Sequence, residues 1–305
     1  MPKQKAIAIV SGGLDSVTLA YLMASKSFEL EVEVDLVSFN YGQRHSKELK
    51  YAALCARGLG LRHDIVDLTG LTHLISNSAL TSNKVDVKAK EFIRDSAALT
   101  VRLTDQVVYV GEDRQPVPIE VPEGHYAEDN MKQTVVPNRN MIMLSIAAGI
   151  AVNRGAVMVA AAMHGGDHFI YPDCRPGFIA AANAAIVLGN GGFGAIPETP
   201  DDAVPAQFIY VPFLHATKAD IAYQALQLGV PLHMTWSCYK GGEKHCGRCG
   251  TCVERLEAIN EAQQRIAENP PKDWDSPYKM EDHTVYDDDE FWKTAVHEAK
   301  EKSNG

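Results

Sequence analysis

Apolar and polar positions along the chain alternate between short buried runs and longer amphipathic stretches. Ala6-Ile-Ala-Ile-Val10 is wholly apolar, Val32–Phe39 alternates before closing on Leu36-Val-Ser-Phe39, and Ala156–Ala162 is apolar throughout. Runs of this length predict strands, and the unbroken ones predict burial on both faces of a sheet. Arg62–Leu68 and Phe208–Val211 are shorter members of the set. Between them the period becomes helical: Val17–Ala24, Ser46–Gly58, Asn140–Asn153 closed by Gly155, Pro176–Leu188, and Thr217–Leu228 capped by Thr217 or its neighbour. Strands separated by helices predict an α/β fold, a parallel five-stranded sheet with helices on both faces. Ligands in such sheets sit at the carboxyl ends of the strands, so chemistry is expected after the first, second and fourth.

Composition narrows the class. The chain has 305 residues, 46% hydrophobic and 22% charged, as in ordinary globular proteins. Its longest apolar stretches, Met141–Val152 and Ala156–Met163, are broken by Gly149, Asn153, Arg154 and Gly155, and no membrane span is expected. The N-terminus runs straight into the first strand, so no leader is expected and the location expected is cytoplasmic. A net charge of −10 argues against broad binding to nucleic acid.

Ser11-Gly-Gly-Leu-Asp-Ser16 stands between the first strand and the first helix, where backbone N–H groups and a helix N-terminus can face a phosphate. Gly12 and Gly13 are expected to let the main chain approach an anion, and Asp15 makes sense there if it holds Mg²⁺ or orients a loop amide. A plain capped turn is the bland alternative, but the order Ser-Gly-Gly-x-Asp-Ser resembles the pyrophosphate loop of the ATP pyrophosphatases. No mononucleotide P-loop signature occurs.

Four of six cysteines crowd together as Cys238-x7-Cys246-x2-Cys249-x2-Cys252, with Gly247 and Gly250 placed for tight knuckles. Two-residue gaps turn successive sulfurs onto one centre, and without export signals metal ligation outweighs disulfides. A closed set of four thiolates favours structural Zn²⁺, with an iron–sulfur cluster as the rival.

The strand-end segments carry polar sets: Asn40-Tyr-Gly-Gln-Arg-His45, Val136-Pro-Asn-Arg-Asn140, and His164-Gly-Gly-Asp-His-Phe-Ile-Tyr-Pro-Asp-Cys-Arg175. Taken singly, each reads as a solvated turn, a surface ion pair, or, for His164 and His168, loop-backbone satisfaction. Their joint placement beside the glycine loop points to a site.

Ser11–Ser16, Tyr41-Gly-Gln-Arg-His45, Val136-Pro-Asn-Arg-Asn140, Tyr171-Pro-Asp-Cys-Arg175, Thr217-Lys-Ala-Asp-Ile221 and the four cysteines occur in the order found in the 7-cyano-7-deazaguanine (preQ0) synthase family, which this chain resembles from about Lys5 to Arg255. The resemblance implies an adenine nucleotide alpha hydrolase-like fold and a ligase forming C–N bonds. That ligase uses ATP and Mg²⁺ to convert 7-carboxy-7-deazaguanine and ammonia to the nitrile, through adenylated acid and amide intermediates. A homodimer and a structural Zn²⁺ are implied too. Carried over, Ser11, Gly12, Gly13, Leu14, Asp15 and Ser16 hold pyrophosphate and metal, while Lys218 neutralises phosphate charge with help from Arg139. Gln43, Arg44, Asp173 and Arg175 are candidates for the deazaguanine and its carboxylate, since aspartate suits a guanine-like donor edge and arginine a carboxylate. Cys174 is expected to pack or touch substrate rather than attack it, for want of a neighbouring base.

The implied organisation is a nucleotide-binding α/β domain over 1–230, a cysteine-bearing helical region over 231–268, and an acidic extension over 269–305. Two departures stand out. Asn138 replaces the glycine common in the family, and Asn83 to about Pro118 reads as an insertion holding a small β-hairpin, with Gln106–Val110 as a strand before the turn-prone Gly111-Glu-Asp113. Past Ile266, Pro270, Pro271 and Asp287-Asp-Asp-Glu290 predict an extended tail, with Phe291 and Trp292 to dock it. Alternative functions are an RNA-thiolating enzyme with the same loop, an interaction module keeping the nucleotide pocket, or a related synthase diverted to nucleobase conjugation.

Overall fold

The computed structural model describes residues 3–26, 28, 30–43, 45–74, 78–81, 91–95, 98–103, 106–109, 121–126, 129–200, 203–271 and 281–304. Five strands, β1 (Gln4–Ile9), β2 (Val32–Asn40), β3 (Arg62–Asp67), β7 (Ala156–Ala160) and β8 (Ile209–Tyr210), form one sheet in the order β3-β2-β1-β7-β8. Every pairing in it is parallel, as expected. Side chains alternate across β1, so Ala6 and Ala8 join one core cluster while Ile7 joins the other. The first cluster takes α1 (Leu14–Ala24), α2 (Glu48–Leu59), α5 (Lys218–Gln227) and α6 (Gly250–Glu268); the second takes α3 (Arg139–Arg154) and α4 (Pro176–Gly189). The small residues Ala6 and Ala8 let the first layer pack closely on the central strand.

Helix ends follow local chemistry. Gly155 closes α3 at φ 65, Pro176 opens α4, and Thr217 caps α5 in a capping box with Asp220. The second helix runs one residue past the expected Gly58, because Gly60 at φ 67 supplies the left-handed cap. Met131–Arg154 is long and apolar enough, by length and composition, to cross a membrane. Its Leu144, Ala147, Ala148 and Ala151 are instead buried against the sheet, so it is a core helix. At its end Arg154 bonds Asp35 and Asp64, each at 2.8 Å.

Two expectations are corrected. The segment read as a hairpin forms a three-stranded antiparallel sheet of β4 (Glu91–Asp95), β5 (Ala98–Leu103) and β6 (Gln106–Tyr109). Gln106–Tyr109 is its last strand and pairs backward with β5; the turn expected at 111–113 lies outside the described residues. The tail past Ile266 is not wholly extended, since α6 continues to Glu268 and α7 covers Phe291–Asn304. Phe291 and Trp292 pack against Val253, Ala295 and Val296, docking α7 onto α6.

Candidate active site

The sheet runs outward from β1 in both directions, through β2 to β3 on one side and β7 to β8 on the other. At that reversal of strand order, the loops leaving β1 and β7 diverge and open a crevice. A cavity of about 220 Å³ lies there, lined by Ser11 and Gly13–Ser16 after β1, Ala161–His164 after β7, and Lys218 on α5. Trp236, Ser237, Tyr239, Thr251 and Glu254 contribute further wall.

The glycine loop divides its labour. Gly12 has φ +102, and a Cβ there would lie 2.1 Å from the Glu48 carbonyl oxygen. Its lack of a side chain therefore admits the close approach of α2. At Gly13 the nearest atom to such a Cβ is 3.4 Å away, and this residue lines the cavity. The Ser16 hydroxyl accepts from the amides of Ser11 (3.1 Å) and Gly12 (3.2 Å), fixing the turn. Gly13 caps α1 without a side chain, so the helix's first amides have no side-chain acceptor and face the cavity end.

Lys218 organises the charges. Its ammonium lies 2.7 Å from Asp15 Oδ2 and 3.1 Å from Glu254 Oε2, with His164 Nε2 at 3.5 Å. Burial alone would raise the Asp15 carboxyl, but Lys218 and His164 outweigh it and hold Asp15 below the usual carboxylate range. Burial pushes Glu254 up, against the pull of Lys218. Burial opposes charge on Lys218, yet Asp15, Glu254 and Asp167 raise it overall, so it stays an ammonium. Asp15 Oδ1 is buried without a hydrogen-bond partner. A hard cation such as Mg²⁺ fits that orphaned oxygen, since Mg²⁺ commonly takes one or two carboxylates and completes its shell with phosphate and water.

Another wall is aromatic. Tyr41, Tyr126, Tyr171 and Tyr239 line it beside Phe39, with Arg139 5.7 Å over the Tyr171 ring. Arg139 begins α3 after Asn138, the one described non-glycine residue with positive φ (58). Asparagine tolerates the left-handed region, so it supports here a turn that glycine makes freely. Cys174 lines the cavity as a buried thiol held up by burial and bonded by Asn140 Nδ2 (3.3 Å), consistent with packing.

The remaining substrate candidates are placed differently. Gln43 is buried but absent from the wall: its carbonyl accepts from the Tyr41 amide, and its amide donates to Phe39 O and Glu48 Oε1. Asp173 accepts from the Asn140 amide (3.1 Å), closing the start of α3. Arg175 is exposed and donates to the His168 carbonyl (2.9 Å). Asp173 and Arg175 form no ion pair with each other among the described residues, and neither lines the cavity. Arg44 lies outside the described residues. Residues the sequence reading did not single out include Glu254 and Glu48, both on the wall, where His45 and Asp167 of the strand-end segments join them. Thr251 and Glu254 are one helical turn apart, a spacing that was available as a signal once α6 was placed.

The sulfur atoms of Cys238, Cys246, Cys249 and Cys252 all lie within 4.8 Å of one another. The amides of Arg248 (3.4 Å) and Cys249 (3.2 Å) donate to Cys246 Sγ, as in a thiolate knuckle that lowers sulfur charge. The donor set fits one metal ion. Gly247 provides the expected sharp turn at φ +73, whereas Gly250 makes room for the Met131 side chain.

A parallel sheet whose strand order reverses beside β1, with the glycine loop and a charged cluster at that point, defines a doubly wound α/β protein with a ligand crevice. The family model described as Queuosine biosynthesis protein QueC matches residues 5–106 and 114–263, and the chain belongs to that family. A 7-cyano-7-deazaguanine synthase from Rhizobium rhizogenes is 43% identical over 292 residues, 96% of each chain. Another from Brucella anthropi is 42% identical over 96% of this chain and 97% of its own. Both alignments span nearly all of the chain. Among solved structures, the U34-tRNA thiolase NcsA from Methanococcus maripaludis with its [4Fe-4S] cluster aligns over 98% of this chain and 74% of its own, at 13% identity and TM-score 0.41.

Proposed function

We propose that this chain is a C–N-forming ligase that converts 7-carboxy-7-deazaguanine and ammonia to 7-cyano-7-deazaguanine with ATP. Membership of the family and near full-length similarity to named synthases support the reading. The observation that carries it in the site is Asp15, one oxygen on Lys218 and the other buried and unpaired, beside the open N-terminus of α1. ATP supplies activation: adenylyl transfer turns a carboxylate or amide oxygen, otherwise a very poor leaving group, into one that departs with AMP. Two such activations account for acid to amide and amide to nitrile, each releasing pyrophosphate.

The chain's own residues position and screen. The first amides of α1 and the Lys218 ammonium receive phosphate charge, Asp15 Oδ1 holds Mg²⁺, and Glu254 with Asp167 keeps Lys218 charged and in place. Zn²⁺ at the four thiolates is part of the proposal; it fixes the start of α6, from which Thr251 and Glu254 enter the wall. A homodimer in the cytoplasm completes the reading. RNA thiolation would call for a reactive cysteine. Cys55 is pushed to about 12 by burial, Cys174 is also raised, and the other four converge on one centre.

Mass spectrometry tests the proposal directly. Protein given the acid, MgATP and ¹⁵N-ammonium should yield labelled nitrile with AMP and pyrophosphate. Formation of ADP, or no labelled product, overturns it.

A further inference from the structure

The charges of the cavity are unevenly matched. Lys218 has two carboxylates within ion-pair distance. Arg139 also lines the cavity, yet no carboxylate lies within ion-pair distance of its guanidinium among the described residues. Its electrostatic neighbours are Tyr41, Tyr171, Tyr239 and Cys174. Tyr41, Tyr171 and Cys174 are neutral at physiological pH: burial raises Tyr41 to about 12 and lifts the other two as well. The first turn of α3 contains no acidic residue, and the helix dipole adds positive potential where Arg139 stands. Asp173 is close in the fold and accepts from the Asn140 backbone amide through Oδ2, but no ion pair joins it to Arg139. A cation buried among neutral groups is expensive unless an anion joins it. Arg139 thus faces the cavity with no carboxylate paired to it among the described residues, whereas Lys218 is held by two.

Its surroundings indicate which anion. Phosphate has the helix N-terminus at α1 and Lys218. Arg139 offers instead a planar fork on a wall of tyrosine rings, which suits a carboxylate carried on a flat heteroaromatic ring. We propose that Arg139 receives the carboxylate of the acid substrate, the role the sequence pattern suggested for the exposed Arg175. The assignment rests on the ligase reading above. It makes Arg139 selective for the first half of the reaction, because the carboxamide intermediate is neutral and gains little from the guanidinium.

The test uses that difference. Arg139→Gln and Arg139→Lys are assayed with the acid and, separately, with the corresponding carboxamide, each with MgATP and ammonium. Arg139→Gln should lower kcat/KM for the acid, relative to that for the carboxamide, roughly 10–100-fold, as expected for a lost charge-assisted hydrogen bond. Arg139→Lys, which keeps charge but loses the fork, should fall between it and wild type. The KM for ATP should rise less than that for the acid in both. Equal losses on acid and carboxamide, or a larger effect on ATP than on the acid, overturn the assignment. Should Arg139→Gln not fold, Arg139→Lys decides by the same ratio. Wild-type protein that converts neither acid nor carboxamide would refute the ligase reading instead, so the two failures are distinct.

Discussion

The Lys218 ammonium sits 2.7 Å from Asp15 Oδ2, tying the first turn of α5 to the first turn of α1, some two hundred residues earlier in the chain. The pair leaves Asp15 Oδ1 for a ligand and spends Lys218 on two carboxylates.

Asp15→Asn should therefore remove most AMP formation while the fold survives. Loss of a charge placed at the reacting phosphates typically costs about 10²–10³ in turnover. Glu254 still pairs Lys218 in the variant, so destabilisation should stay below the about 3–5 kcal/mol of a buried cation left alone. Because its folded pKa is depressed, Asp15 contributes stability that is full above the ordinary value of 3.8 and is lost as pH falls through the folded value. Acid unfolding of wild type and variant should accordingly converge at low pH. Wild-type turnover by the variant refutes the assignment.

The two loop glycines should fail differently. Gly12→Ala places a Cβ against the Glu48 carbonyl at a left-handed φ, and overpacking of this kind costs about 1–3 kcal/mol. Thermal melting should show the loss. Gly13→Ala meets no atom closer than 3.4 Å, and should melt within about 1 kcal/mol of wild type while binding ATP more weakly. Equal melting temperatures for the two variants would mean that α2 does not constrain Gly12.

Cys249→Ser should lower zinc content and stability together, because ligation energy at a structural site is folding energy. The affinity cost should exceed the roughly 10–100-fold typical of losing a supporting residue. Metal analysis beside calorimetry checks this; a stable, active, metal-free variant removes the structural role.

The strands and helices were legible because apolar runs and helical period coincide with glycine, proline and threonine at the boundaries. The loop and the cysteine set were legible because each is short in sequence, so that spacing alone brings the groups together. Gln43, Asp173 and Arg175 were not: their residue types suit substrate, but whether an oxygen or an N–H is free depends on Tyr41, Asn140 and His168, which only the fold brings near. Glu254 was missed for the converse reason. Nothing in its neighbourhood along the chain marks it, and its role comes from Lys218, thirty-six positions earlier.

The tail was the least legible element, and its anchor yields the last prediction. Arg255 is wholly buried one position beyond Glu254. Its guanidinium donates to Thr235 Oγ1 (2.6 Å), the Leu232 carbonyl (2.7 Å), Thr284 Oγ1 (3.0 Å) and the Tyr286 hydroxyl (2.9 Å). Asp282 lies 3.7 Å away, so residues of the tail complete the shell of a charge that α6 alone leaves unmet. A backbone bridge between His245 and Tyr286 lays the same segment along the cysteine knuckle. Arg255→Ala strands the Asp282 carboxylate and frees the tail, and should cost about 3–5 kcal/mol. Tyr286→Phe removes one neutral acceptor and should cost about 1 kcal/mol. Chemical denaturation measures both, and proteolysis within 281–290 should accelerate in the arginine variant first. If Arg255→Ala is as stable as wild type, the tail does not depend on this anchor, and the acidic segment docks through Phe291 and Trp292 alone.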